Sequence, residues 1–222
     1  MAIRVLTIER EYGSGGALIA GRIAQRLGWP LWDSNLSAEI ARLAKAPGSF
    51  SPSSNRPQPS DPLLYKLAKV FARGSYERSL PLENPERLDA ERLIEILTEV
   101  IQRVAKSGPA VIVGRGAAFI LRDHPEAFHV FIFAPYEEKL RRLIEFGKSH
   151  EESVKLLETI DQERAAFIKQ YTGRSWPNRY LYNLWINSVI GDEAVIDVML
   201  NAMSMLDGRG IQPRACRETP SD

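Results

Sequence analysis

Leu6-Thr7-Ile8-Glu9-Arg10-Glu11-Tyr12-Gly13-Ser14-Gly15-Gly16-Ala17-Leu18-Ile19-Ala20 passes from an apolar run through a glycine-rich turn into helical periodicity. The order is strand, loop, helix, the opening unit of a parallel α/β sheet. Gly13, Gly15 and Gly16 permit positive φ and put no Cβ in the way, so consecutive N–H groups can converge on one anion. The helix behind them directs its N-terminal partial charge to the same point. The turn therefore predicts a phosphate site made by Gly13, Ser14, Gly15, Gly16 and Ala17, with an ordinary tight turn as the alternative.

The complete phosphate-loop pattern, G-x-x-x-x-G-K-[ST], requires Lys where Gly16 stands, a hydroxyl residue where Ala17 stands and Gly where Arg10 stands. What remains is the glycine geometry without the lysine charge. Arg10 is the nearest cation that can replace it, and local pairing of an exposed Arg10 with Glu9 and Glu11 is the competing expectation.

Working outward, the chain has 222 residues, 44% hydrophobic and 26% charged, which suits one domain with a full core. The expected layout is a single domain over residues 1–206, with an insert at about 34–79, a lid at about 169–180 and a disordered tail over 207–222. A formal net charge of +1 provides no overall field for nucleic acid or an anionic membrane, so neither is expected as a partner. The single cysteine, Cys216, cannot form an internal disulfide and fits a reducing cytoplasm. Charges at Arg4, Glu9, Arg10 and Glu11 break the N-terminal apolar run, and nowhere are about 18 apolar residues consecutive, so a cytoplasmic protein is expected. The oligomeric state is left open.

Taken in order, strands alternate with helices. Gly28 closes the first helix, and Trp29-Pro30-Leu31-Trp32-Asp33 is a short strand ending in a carboxylate. Asp33 either binds a ligand at the sheet edge or caps the helix over 36–43. Residues 47–62 contain five Pro and five Ser and predict irregular chain, followed by helices over 63–76 and 85–106. Ala110-Val111-Ile112-Val113 is a buried strand that runs into Gly114-Arg115-Gly116, placing Arg115 where it can reach into the crevice. The next strand is 129–133, followed by a helix carrying Arg141 and Arg142, both expected at the solvated surface. A long helix over 151–171 brings Asp161 within reach of Arg164, and Arg164 with Lys169 can close on a polyphosphate. Arg174 sits in a turn with lid character. A strand over 182–188 and an amphipathic helix over 193–206 complete the domain.

This order of elements resembles the nucleoside monophosphate kinases, and most of all the bacterial cytidylate kinase-like family. Glu11-Tyr12-Gly13-Ser14-Gly15-Gly16, Val111-Ile112-Val113-Gly114-Arg115-Gly116 and Asp161-Gln162-Glu163-Arg164-Ala165-Ala166 carry the likeness. It implies a P-loop sheet of five parallel strands with helices on both faces, a helical monophosphate-binding insert and a lid. It also implies ATP as donor, Mg²⁺, and a pyrimidine monophosphate such as CMP as acceptor. Cytidylate kinases have the loop lysine, absent at Gly16, and Asp on both sides of the Gly-Arg pair, where Val113 and Gly116 stand here.

The expected roles follow. Gly13, Ser14, Gly15, Gly16 and Ala17 hold donor phosphates, and Asp33 and Arg115 orient the acceptor. Arg10, Arg164, Lys169 and Arg174 neutralise the transferring group. Two other functions remain open: a nucleotide-binding module without transfer activity, suggested by Gly16, and a kinase of another small acceptor, suggested by Leu31-Trp32-Asp33-Ser34-Asn35.

Overall fold

The computed structural model describes residues 3–44 and 90–209. The expected irregular stretch at 47–62, the helix over 63–76 and most of the tail lie outside these residues. Strand β1 (Val5–Arg10) is followed by α1 (Gly16–Leu27), β2 (Leu31–Trp32) and α2 (Ser34–Ala44). Then come α3 (Ala90–Ser107), β3 (Ala110–Val113), the short α4 (Ala117–Ile120) and β4 (Ala127–Phe133). Helices α5 (Tyr136–Glu145) and α6 (His150–Thr172), strand β5 (Leu184–Asn187) and α7 (Asp192–Arg209) complete the order.

The five strands form one parallel sheet in the order β2-β3-β1-β4-β5. Period-2 alternation divides the buried side chains between two cores. Leu6, Ile8, Val111, Val113, Phe128, Val130 and Ile132 pack with Ile19 and Ile23 of α1 and Ile196 and Met199 of α7. Val5, Ala110, Ile112, Ala127 and Phe131 face the opposite way, against Leu36 and Ile40 of α2 and Ile96, Val100 and Ile101 of α3. Both faces are thus covered, the condition under which the all-apolar β3 is stable. The architecture is the expected P-loop-type α/β fold.

Local signals account for most element ends. Gly28 takes φ 65° and donates to the carbonyls of Ala24 and Gln25, closing α1 in the left-handed manner. Ser149 caps α6 by accepting from Glu152 N–H. Helix α7 continues through Asp207, beyond the expected end at 206, and Asp207 Oδ1 accepts from the Ile3 N–H at 2.6 Å. That contact ties the last turn of α7 to the entry of β1. No helix among the described residues is long and apolar enough to cross a membrane.

One buried polar pair lies inside the sheet. Thr7 and His129 are directly opposite across β1 and β4, with Thr7 Oγ1 2.7 Å from His129 Nδ1. Burial pushes the imidazole down to about 4, against a raising hydrogen bond to the Leu121 backbone. The histidine is therefore neutral when folded, whereas in the unfolded chain it takes a proton below about 6.5. Its contribution is complete above pH 6.5 and is lost as pH falls toward 4, amounting to about 3 kcal/mol by linkage. Urea melts of the wild type and His129→Gln at pH 7 and pH 4.5 should show the wild type losing more stability on acidification. Parallel losses in the two proteins would assign the acid sensitivity to other groups.

Candidate functional site

The carboxyl ends of β1, β2 and β3 meet at one edge, and the glycine turn stands over it. Gly15 takes φ 79° and ψ 0° as the residue before α1, with no side-chain cap. Among the described residues, nothing accepts from the amides of Gly13, Gly15, Gly16 or Ala17. The start of α1 therefore keeps its orphan donors in register, the arrangement that attracts phosphate.

The turn is held from outside by specific bonds. Both carboxylate oxygens of Asp161 accept from Tyr12 N–H at 3.0 Å. Arg164 Nη1 donates to Asp161 Oδ1 and to the Arg10 carbonyl, each at 2.9 Å. Ser188, after β5, donates from Oγ to the Ser14 carbonyl at 2.7 Å, and Lys139 of α5 pairs with Glu11 at 2.9 Å. The Asp161 to Arg164 pair read from the helix spacing is real, and it braces the loop.

Three glycines make room for two arginines. A Cβ on Gly16 would lie 2.6 Å from Arg10 Cβ and 2.8 Å from its Cγ, so the Arg10 stem fills the space a residue-16 side chain would need. The Arg10 head crosses Gly114, whose left-handed backbone (φ 67°) leaves its guanidinium unobstructed. Beneath the turn, Arg142 lies against Gly15. It forms ion pairs at 2.8 Å with both Glu138 and Asp192.

Arg10 is thus not the exposed residue expected from its charged neighbours. It is 5% exposed and Glu9 4%. Burial and the neighbouring Arg164 push the Arg10 guanidinium down to about 10, with Asp33 and Glu9 opposing, so it stays cationic at neutral pH. Arg115 is lowered by burial, again with Asp33 opposing. Burial raises the Glu9 carboxyl above its ordinary value, against Arg10, Arg164, the Gly116 N–H and Trp176. Three arginines, Glu9 and Asp33 therefore form one mutually sensed charge cluster at the ends of β1, β2 and β3. Asp33 does not cap α2 with its side chain. Its carbonyl accepts from Ser37 N–H, and its buried Oδ1 has no hydrogen-bond partner among the described residues.

A profile of the cytidylate kinase-like family matches residues 5–189. The chain belongs to that family. Among curated proteins, none matches the sequence. An uncharacterized protein from Eubacterium ventriosum superposes with a TM-score of 0.65 at 20% identity, over 91% of this chain and 99% of that one. A gluconokinase from Sinorhizobium meliloti gives 0.52 at 14% identity, over 93% and 95%. At such identities these likenesses speak for the fold, which is kinase-like.

Of the residues expected to act together, this family member brings Arg10, Arg115, Arg164, Asp33 and the glycine turn to one edge. Lys169 is exposed on α6 and is not among the charges acting on Glu9, Arg10 or Arg115. Arg174 is half-buried just past α6, its N–H donating to Thr172 Oγ1 at 3.2 Å. In the segment expected as a lid, Trp176 and Asn178 are buried, and Trp176 packs edge-on against Phe131 at 5.7 Å. Arg141 is exposed as expected, whereas Arg142 is buried under the turn. Glu9 and Arg142 are the residues that sequence reasoning did not place in the site.

Arg115 occupies the left-handed region (φ 61°) between two left-handed glycines, and its Nη2 donates to Ser37 Oγ at 2.6 Å. A non-glycine residue there stores about 1 kcal/mol or more of backbone strain. Arg115→Gly should therefore be about 1 kcal/mol more stable than Arg115→Ala, the reverse of the usual order, while both lose the guanidinium. Urea melts of the two variants check this. A more stable alanine variant would mean that the turn relaxes out of the left-handed region.

Proposed function

We propose that this protein transfers a phosphoryl group from ATP to a small acceptor that carries its own phosphate, a nucleoside monophosphate such as CMP. The observation that carries this reading is the convergence of Arg10, Arg115 and Arg164 at the mouth of a turn in which, among the described residues, the N–H groups of Gly13, Gly15, Gly16 and Ala17 have no acceptor. Phosphoryl transfer needs positioning and charge neutralisation more than covalent chemistry. This edge offers both. The orphan amides of Gly13, Gly15, Gly16 and Ala17 suit the donor phosphates, and the buried cations suit the negative charge between donor and acceptor. Asp33 Oδ1, buried without a hydrogen-bond partner among the described residues, suits a hydroxyl donor on the acceptor.

ATP would enter as its Mg²⁺ complex, with the loop amides, Arg10 and Arg164 around its phosphates. Ala17 supplies no hydroxyl to the metal, and among the described residues no group of three metal-ligating side chains comes together. The metal would shield charge on the phosphates. Within the site, Arg10 and Arg164 act on the transferring group, and Arg115 with Asp33 orients the acceptor. Lys169 and Arg174 are proposed as further cations only if α6 and the segment after it approach the loop.

The test is ADP release in a coupled assay with ATP, Mg²⁺ and a panel of nucleoside monophosphates, hydroxy acids and sugar acids. Turnover with a monophosphate is expected. Turnover confined to non-nucleotide acceptors would transfer the reading to another small-molecule kinase. The missing lysine at Gly16 favours a second reading, a nucleotide-binding module without transfer activity, which tight ADP binding with no turnover on any acceptor would establish.

A further inference from the structure

Glu9 has no part in the roles above, yet it is the most enclosed carboxyl of the site and the point at which three elements meet. Its Oε1 accepts from the Gly116 N–H at 3.2 Å, at the close of the turn that presents Arg115. The indole N–H of Trp176 is directed at the same carboxyl from the segment after α6. Trp176 is itself fixed in the core, against Phe131, and Phe131 is the residue opposite Glu9 in the β1 and β4 register. Gly116 is left-handed, and an added Cβ there would press on Ile168 of α6 at 3.2 Å. The turn over 114–116, the end of α6 and the segment over 173–182 thus converge on one buried carboxyl.

We propose that Glu9 is a positioning residue for the acceptor side: its carboxyl group joins the Gly114–Gly116 turn to the Trp176 segment and so fixes where Arg115 points. This rests on the reading of the edge as a phosphoryl-transfer site, but its structural half is independent of that reading. The charged and titratable groups facing Glu9 are Arg10 on its own strand, Arg115, Arg164 of α6, and the buried Tyr182 hydroxyl. Burial raises the Glu9 carboxyl above its ordinary value, and the cations oppose that rise. Protonation removes the charge on which both N–H donors bear, and the two segments are then free to part.

The experiment uses the full chain labelled with 5-fluorotryptophan, with the Trp176 signal assigned from Trp176→Phe. In the wild type this signal should move with pH, with a midpoint above the ordinary glutamate value, and in Glu9→Gln it should not move. Calorimetry with CMP and with ADP forms the second arm. Glu9→Gln should weaken CMP by about tenfold, the value of a hydrogen bond to a charged group, and leave ADP nearly unchanged. Trp176→Phe, which keeps the ring packing and removes only the N–H, should weaken CMP in the same direction, and the double variant should add little. A Trp176 signal that titrates identically in wild type and Glu9→Gln would overturn the proposal, as would equal losses of CMP and ADP affinity. If the wild type binds no monophosphate, the functional reading fails, and the fluorine signal still decides whether Glu9 joins the two segments.

Discussion

Lysine placed at position 16 is expected to disable the loop rather than complete it. Gly16 has no positive φ, so its backbone would accept a side chain. The obstacle is Arg10, whose Cβ and Cγ would lie 2.6 and 2.8 Å from a new Cβ. Arg10 cannot retreat, because it is paired in register with Ile132 in the centre of the sheet and its guanidinium is threaded across Gly114. Overpacking against fixed backbone costs about 1–3 kcal/mol, and relief by expelling Arg10 would remove a site cation. Gly16→Lys should thus lower ATP-dependent turnover by about a hundredfold or more, equivalent to roughly 3 kcal/mol. Arg10→Gly combined with Gly16→Lys restores the glycine and the lysine of the ordinary phosphate loop, with Ala17 still lacking the hydroxyl, and should recover part of that loss. ADP release by the single and double variants, with urea melts alongside, measures both effects. A single variant faster than the wild type would show that the Arg10 stem is not what shapes position 16.

The second large effect is expected at Gly15. Its φ of 79° excludes a β-branched residue, and an added Cβ would stand 2.3 Å from Arg142 Nη1 and 3.1 Å from its Cζ. Arg142 is pinned by Glu138 and Asp192, and disturbing an enclosed ion pair of this kind costs about 3–5 kcal/mol. Gly15→Val should accordingly abolish ADP binding in calorimetry and lower the urea midpoint. Arg142→Gln, which leaves the turn's backbone unobstructed, should share the loss of stability but retain measurable ADP binding. That contrast separates damage to the turn from damage to its support. A folded Gly15→Val protein with unchanged ADP affinity would remove the turn as the phosphate site and both nucleotide readings with it.

Sequence patterns reached the architecture because they are local. The uniform apolarity of Ala110–Val113, the cap at Gly28 and the Asp161 to Arg164 spacing each depend on a few neighbouring residues, and each holds in the structure. Glu9 and Arg10 were harder for the opposite reason. Adjacent charges suggest a local pair at a surface, whereas strand neighbours point to opposite faces and both of these are buried by elements more than a hundred residues away. The apolar run ends at Ile8, two residues before the strand does, so the alternation is not carried through Glu9 and Arg10 by apolar residues. Arg142 was masked by Arg141, since two consecutive arginines on a helix suggest solvent while their directions differ by about 100°. One pairs with exposed Glu145, and the other is directed under the turn. For Asp33 the sequence leaves cap and ligand in balance, because the burial of its Oδ1 without a hydrogen-bond partner among the described residues depends on distant packing.

The anchoring of the glycine turn also fixes an order of events during synthesis. The turn leaves the ribosome well before its fixings do: Tyr12 waits for Asp161, 149 residues on, the Arg10 carbonyl for Arg164 after 154, and the Ser14 carbonyl for Ser188 after 174. Strand β1 likewise has no sheet partner until β3 and β4 have emerged. Contacts so distant make for slow folding and leave an apolar strand uncovered in the nascent chain. A chain arrested before α6 would thus carry the whole glycine motif and still be unable to hold it in shape.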